Sequence, residues 1–230
     1  MSIPSTTTLH THLAGRKVPG KWLFGLVMVA VLVLGWRYPQ VGFVVPAAMI
    51  AGIAGGFFRG RWVCGNLCPR GSFLDTWFTR LAGRGKIPDL LTRSWFRWTM
   101  FSLLMGFMAF RLAENPANLN HWGAVFWQMC LITTLAAIVL GLRFSARSWC
   151  AFCPVGTLAG TIGAGKYQLR ISSSCKACGL CEASCPMQFN ISSFRESGVL
   201  PENDCLKCSA CVASCPRSQV LHWPARPSGS

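Results

Sequence analysis

Cys175-Lys176-Ala177-Cys178-Gly179-Leu180-Cys181-Glu182-Ala183-Ser184-Cys185-Pro186 is followed by a second copy, Cys205-Leu206-Lys207-Cys208-Ser209-Ala210-Cys211-Val212-Ala213-Ser214-Cys215-Pro216. Both read C-x2-C-x2-C-x3-C-P, a run that supplies thiolates to four-iron, four-sulfur clusters. Three cysteines two residues apart let the intervening backbone fold its amides toward inorganic sulfur. The fourth, fixed by its proline, turns away. A zinc site wants four ligands per ion, commonly as separated C-x2-C pairs. Two runs ending alike in Cys-Pro do not fit that pattern.

The double run resembles the bacterial-type ferredoxins. Carried over residue by residue, the resemblance implies one cluster on Cys175, Cys178, Cys181 and Cys215. It implies a second on Cys205, Cys208, Cys211 and Cys185. The cysteine-rich end is therefore expected to face a reducing compartment, because clusters are assembled on thiolates.

Upstream, the composition changes character. Hydrophobic residues make up 52% of the 230-residue chain and charged residues 13%, with mean hydropathy +0.40. That is too apolar for an ordinary soluble domain and predicts membrane spans. Ten tryptophans agree, since Trp collects at the membrane–water interface. Four apolar runs stand out: Trp22 to Trp36, Val41 to Phe58, Trp95 to Leu112 and Trp122 to Leu142. The third contains Arg97, which is expected to snorkel toward headgroups. The first could be a signal peptide, but no small-residue cleavage site follows it.

The net charge of +15 flanks the apolar runs and is not arranged in any nucleic-acid motif. Basic residues crowd the N-terminal segment, the loop between the second and third runs, and the segment after the fourth. The positive-inside rule then places both termini and the middle loop in the cytoplasm. Within that loop, Phe73, Leu74, Trp77, Phe78 and Leu81 share one face of a helix predicted over 72–81, lying either in the membrane surface or against the core.

A second cysteine constellation is duplicated. Arg61-Trp62-Val63-Cys64-Gly65-Asn66-Leu67-Cys68-Pro69-Arg70-Gly71 follows the second run, and Arg147-Ser148-Trp149-Cys150-Ala151-Phe152-Cys153-Pro154-Val155-Gly156 follows the fourth. The unit is a helical hairpin with a cysteine elbow, present twice. Tandem hairpins of one sense would bring Cys64, Cys68, Cys150 and Cys153 to one membrane face. Those four read as a third metal centre, another iron–sulfur site, or as redox-active thiols. Cys130, alone inside a span, reads as a buried structural residue. Covalent haem is excluded because Pro154 stands where C-x-x-C-H needs histidine. The four histidines, His10, His12, His121 and His222, lie away from the middle of any span, so b-type haem is not expected either.

The expected fold is thus a mainly α membrane protein: a four-helix transmembrane bundle of two tandem hairpins plus a small C-terminal ferredoxin module with two [4Fe-4S] clusters. The expected domains are a cytoplasmic segment (1–21), a four-span domain (22–158) with elbows at 64–68 and 150–153, a linker (159–174), the ferredoxin module (175–217) and a disordered tail (218–230).

Four spans, Cys-Pro elbows after the second and fourth, and a C-terminal double-cluster run together resemble the NapH/MauN family over about Lys21 to Pro216. These are membrane ferredoxin-type components of periplasmic nitrate reduction and methylamine utilisation. The family pattern is C-x3-C-P at both elbows. Cys64 and Cys68 follow it, whereas Cys150 and Cys153 are one residue closer. The resemblance implies a multi-pass protein of the bacterial cytoplasmic membrane. It would oxidise quinol from the membrane quinone pool and pass electrons to a partner iron–sulfur protein or cytochrome within a larger redox complex. Glu114 and His121, in the loop before the fourth span, are the candidate proton acceptors for quinol oxidation. The alternatives are a maturation factor that reduces another enzyme's metal centre and an electron-carrying membrane anchor. The family's reductases are periplasmic, whereas the charge pattern puts the clusters in the cytoplasm. A partner crossing about 30 Å of hydrocarbon, electron entry from the cytoplasm, or the opposite topology would each resolve that.

Overall fold

The computed structural model describes residues 20–83, 85–217 and 219–224. Four long helices occupy the four apolar runs: α1 (Lys21–Leu34), α2 (Val44–Arg59, entered through a 3-10 turn, Pro39–Phe43), α6 (Ser94–Ala113) and α7 (Leu119–Arg143). Two of these segments, Pro39–Arg59 and Leu119–Arg143, are long and apolar enough to cross a membrane. The 14 residues of α1 span only about 21 Å. The 20-residue α6 has the length but is diluted by Arg97, Arg111 and hydroxyl side chains.

The two candidate spans cross at their starts through glycine. A Cβ on Gly42 would meet the carbonyl of Gly123, and one on Gly123 would meet the carbonyl of Pro39. Backbones that close need small residues. Much of the outer surface is apolar: Trp36, Phe58, Leu81 and Leu119 are among the exposed large side chains. Unpartnered apolar area on this scale marks an interaction or membrane surface.

Each hairpin ends in its elbow. After α2 come α3 (Trp62–Asn66) and α4 (Pro69–Phe73), then a π-helical turn (Leu74–Phe78) and, before α6, α5 (Asp89–Thr92). After α7 come a 3-10 turn (Ser148–Ala151) and α8 (Pro154–Ile162). The π turn breaks the single face expected over 72–81. Leu74 and Phe78 are buried, but Trp77 and Leu81 are exposed. The wider turn, held by Thr79 donating to the Leu74 carbonyl at 3.0 Å, rotates less per residue than an α-helix, so the expected stripe splits.

The C-terminal module contains β1 (Arg170–Ile171), α9 (Leu180–Ala183), a 3-10 turn (Ser192–Arg195), α10 (Ala210–Ser214) and β2 (Leu221–His222). β1 and β2 pair antiparallel, Arg170 opposite His222 and Ile171 opposite Leu221. Two sequence expectations are corrected here. The supposed linker, 159–174, holds the end of α8 and all of β1. The supposed tail is ordered over its described part, because β2 closes the module's sheet and Trp223 stacks on Tyr167 with ring centroids 5.3 Å apart. Val220 and Leu221 are buried beside Leu169, Ile171 and Leu200, and that burial orders the segment. Residues 1–19 and 225–230 lie outside the described residues.

Arg97 is also corrected. It does not snorkel outward but is 12% exposed and paired with Asp204 of the C-terminal module.

Candidate iron–sulfur sites

Both cysteine runs fold the same way. Ala177 and Gly179 in the first, and Lys207 and Ser209 in the second, have φ of 50°, 75°, 53° and 61°. These are matching positions in the two copies. Left-handed backbone at paired positions turns successive amides inward, forming concave anion-binding nests. Three of the four residues are not glycine, and each such position costs roughly 1–2 kcal/mol. Strain of that kind persists where the loop has to wrap something. Accordingly Gly179→Ala is expected to destabilise the module by about 1–2 kcal/mol, while Ala177→Gly is neutral or stabilising. Paired thermal melts read the difference, and equal melting points would refute the account.

Cys185 of the first run meets Cys205, Cys208 and Cys211 of the second around one cavity, closed by Phe189, Leu200 and Trp223. Burial pushes the Cys205 thiol up to about 12, against the Lys207 amide and side chain. Cys211 rises further for the same reason. Cys185 is raised by burial and opposed by the amides of Phe189, Met187 and Gln188. Sulfurs buried this way are costly to ionise alone, whereas bound iron deprotonates a thiol outright. Cys175, Cys181 and Cys215 lie with Cys185, Cys205 and Cys211 on the module's small core, and Cys178 is exposed. Burial, then Glu182, pushes Cys181 up to about 11.

Among the described residues, no three His, Cys, Asp or Glu side chains converge closely enough for a single metal ion. A four-iron cluster makes a different demand, because each thiolate binds its own iron corner and the sulfurs stand further apart. The nests, the amides aimed at sulfur and the four-cysteine cavity fit such a group.

The elbows carry a feature the sequence did not disclose. Cys68 and Cys153 stand just before α4 and α8 with extended backbone, ψ 119° and 130°, as a residue before proline requires. Each proline then opens its helix. From each elbow a buried arginine crosses to the other. Arg61 donates to the Cys150 carbonyl. Arg147 donates to the Cys64 carbonyl at 3.4 Å and approaches the Cys150 sulfur at 3.5 Å. The glycines of the two Cys-Pro-x-Gly units make room for them. A Cβ on Gly71 would collide with the Arg147 guanidinium, and one on Gly156 with that of Arg61. The two repeats are thus interlocked about an approximate two-fold.

Each arginine also holds an acid that holds a second cation. Arg147 makes a two-bond pair with Asp75, at 2.8 and 2.7 Å, and Lys21 lies 3.7 Å from the same carboxylate. Arg61 pairs with Asp204 at 3.0 Å, and Asp204 also takes a fork of bonds from Arg97. Lys21 and Arg97 occupy equivalent places near the starts of α1 and α6. Four cations and two carboxylates leave two positive charges beside the elbow thiols.

Burial pushes Cys64 up to about 12, opposed by Arg61 and reinforced by Cys68, Cys153 and Cys150. Burial likewise raises Cys68, opposed by the Gly71 amide, with Cys150 and Cys153 adding to the rise. Cys64, Cys150 and Cys153 pack against one hydrophobic cluster, and Arg147 reaches both Cys64 and Cys150, so the two elbows meet. Buried donors nearby lack partners among the described residues: Arg61 Nε, Arg70 Nε, Trp149 Nε1 and Thr157 Oγ1. Orphaned donors and surplus buried charge call for an anion. A four-thiolate cluster is an anion with sulfides to accept such bonds, so the elbow residues fit one.

Cys130 is buried on α7, near Arg70. Glu114 and His121 are elsewhere. Glu114 forms an exposed pair with Arg111 at 2.9 Å, and His121 Nε2 meets the Arg111 carbonyl at 2.8 Å. They sit at the N-terminal end of α7, whereas the elbow follows its C-terminal end, about 33 Å away along the helix. The structure does not bring them to the cysteines, because the hairpin puts its turn and its elbow at opposite ends.

A family model described as a 4Fe-4S binding domain matches the chain twice, over residues 41–88 and 126–171. One described as a 4Fe-4S dicluster domain matches residues 174–221. The first match falls on each hairpin's second helix with its elbow, in agreement with the internal repeat, and the second falls on the double cysteine run. No curated protein and no solved structure matches the chain. The chain therefore carries iron–sulfur binding domains of the 4Fe-4S type, which point to electron transfer.

Proposed function

We propose that the chain is a multi-pass membrane electron-transfer subunit that oxidises quinol and passes electrons to a partner iron–sulfur protein or cytochrome of a respiratory reductase, as its resemblance to the NapH/MauN family implies. The single observation that carries this reading is packing. Cys64, Cys150 and Cys153 of the elbows and Cys185 and Cys208 of the module border one hydrophobic cluster, around Leu74, Trp149, Phe152, Met187 and Leu206. Cysteines of the helical layer and of the module share one apolar interior.

In this reading the module holds one cluster on Cys175, Cys178, Cys181 and Cys215 and another on Cys205, Cys208, Cys211 and Cys185. The elbow cysteines hold a third. When bound, the clusters supply one-electron redox chemistry at potentials set by charge, hydrogen bonding and burial. Arg61 and Arg147 supply charge compensation at the elbow, and Trp149 and Phe152 keep water out. Ile50, Ile53, Ala54, Phe57 and Phe58 form an open apolar face on the half of α2 that precedes the Cys64 elbow, and that face suits an isoprenoid tail. Glu114 and His121 sit at the wrong end to serve that site. The helices form four spans, with both termini and the module on the cytoplasmic side.

Purified full-length protein in detergent, given a reduced quinol analogue, is expected to show cluster bleaching and a reduced-cluster EPR signal. Clusters that dithionite reduces but no quinol does would overturn quinol oxidation and leave the maturation reading standing.

A further inference from the structure

The two repeats differ at one telling place. Asp75 stands seven residues after Cys68 and neutralises Arg147. The residue seven after Cys153 is Gly160, so the second repeat lacks its own acid. Asp204 fills the gap from the C-terminal module. A Cβ on Gly160 would lie 3.3 Å from Asp204 Oδ1 and 3.4 Å from Arg61 Cδ. The side chain missing from the second repeat is thus replaced in space by one carried on another domain.

Asp204 directly precedes Cys205. Its neighbours continue the contact: Asn66 donates to the Lys207 carbonyl at 3.3 Å, Gly65 packs on the Leu206 carbonyl, and Lys207 donates to the Lys166 carbonyl. The loop that begins the second cysteine run therefore lies directly on the first elbow. Of the first run only its last cysteine, Cys185, reaches the interior shared with the elbows; Cys178, within the run, is exposed.

We infer that Asp204 is a positioning residue that locks the Cys205–Cys208–Cys211–Cys185 site of the module against the cysteine elbows, by supplying the acid that the second repeat omits. The inference deepens the proposed function and rests on it for the identity of the bound groups. It sets an order: the Cys205 site is proximal to the elbow and the Cys175 site is distal, facing a partner. With clusters bound, the elbow and the Cys205 site would be neighbouring one-electron centres; each quinol would give up two electrons and two protons, and the partner protein would take the electrons one at a time.

The order also explains why the acid belongs on the module. An aspartate at position 160 would neutralise Arg61 and Arg97 within the helical layer and leave the module without its anchor. With the acid on the module, docking and charge neutralisation happen together.

The test uses full-length protein in detergent and three chains: the parent, Asp204→Ala, and Asp204→Ala combined with Gly160→Asp. The double variant returns an acid to the place that Asp75 holds in the first repeat. Two readouts are taken: hydrogen exchange of residues 203–208, which needs no cluster, and magnetic interaction between reduced centres by EPR. In Asp204→Ala, exchange of 203–208 is expected to rise about a hundredfold, because the buried Arg61 and the part-buried Arg97 lose their partner. The EPR interaction should be lost with module iron unchanged. The double variant should recover the parent's thermal stability while exchange stays fast and the interaction stays lost. Recovery of slow exchange and interaction in the double variant would overturn the inference, since neutralising Arg61 would then suffice. So would an Asp204→Ala protein indistinguishable from the parent. A parent lacking any elbow signal would sink the third centre of the proposed function, and the exchange comparison would still decide whether Asp204 docks the module.

Discussion

Cys64→Ser or Cys150→Ser lowers iron and acid-labile sulfide from about twelve to about eight per chain, with the two module clusters retained. This is the largest effect expected of any single substitution outside the double cysteine run. It follows from four half-buried elbow thiols lying beside two surplus positive charges. The matched control is Cys130→Ser. Cys130 is as buried as any cysteine in the chain, but it sits on α7, outside the elbow, and its loss should leave the iron content unchanged. EPR on the same samples should show one cluster signal disappear in the elbow variants. A parent that already holds only about eight irons, with its elbow cysteines in disulfides, would refute the third centre.

Gly71→Ala should destabilise the protein by about 3 kcal/mol and empty the elbow of iron. The added methyl lands on the Arg147 guanidinium. The end of an arginine can usually swing aside, but this one is pinned by two bonds to Asp75 and one to the Cys64 carbonyl, and it is only 2% exposed. Moving it leaves a buried charge without its partner. Gly156→Ala should act the same way through Arg61. Gly106→Ala on α6 is the contrast: nothing lies within 4 Å of its Cβ, so a small gain of up to about 1 kcal/mol is expected from helix propensity alone. Thermal unfolding in detergent separates them, and equal melting points for Gly71→Ala and Gly106→Ala would show that the interlock carries no weight.

Several parts of this arrangement are legible in the sequence alone. The four helix positions are, because long apolar runs report burial or lipid whatever their neighbours are. The elbow repeat is legible from its matching Arg, Trp, Cys-Pro and Gly. The split of the 72–81 face is not. A π turn leaves no periodic signature, and here it accompanies the placement of Asp75 on Arg147. The ordering of residues 219–224 was missed because a two-residue strand has too short a pattern to read. Its order comes from Val220, Leu221 and Trp223 finding a core made elsewhere in the chain.

Arg97 shows where reading by composition stops. An arginine near the start of an apolar helix looks like a headgroup contact. Its actual partner, Asp204, lies in another domain more than a hundred positions away, and no local pattern links the two letters. Likewise, Gly160 in place of an aspartate reads as unremarkable until Asp204 is seen beside it.

By itself the sequence determined the cysteine loops, because a cluster grips ligands two and three residues apart and local backbone does the wrapping. It also determined the duplicated hairpin with its elbow. The tertiary structure alone decided which arginine crosses to which elbow, which acid neutralises it, and which end of the module meets the helical layer. Those are choices between buried charges. A buried charge is satisfied by whatever the packing brings within about 3–4 Å, at any distance along the chain.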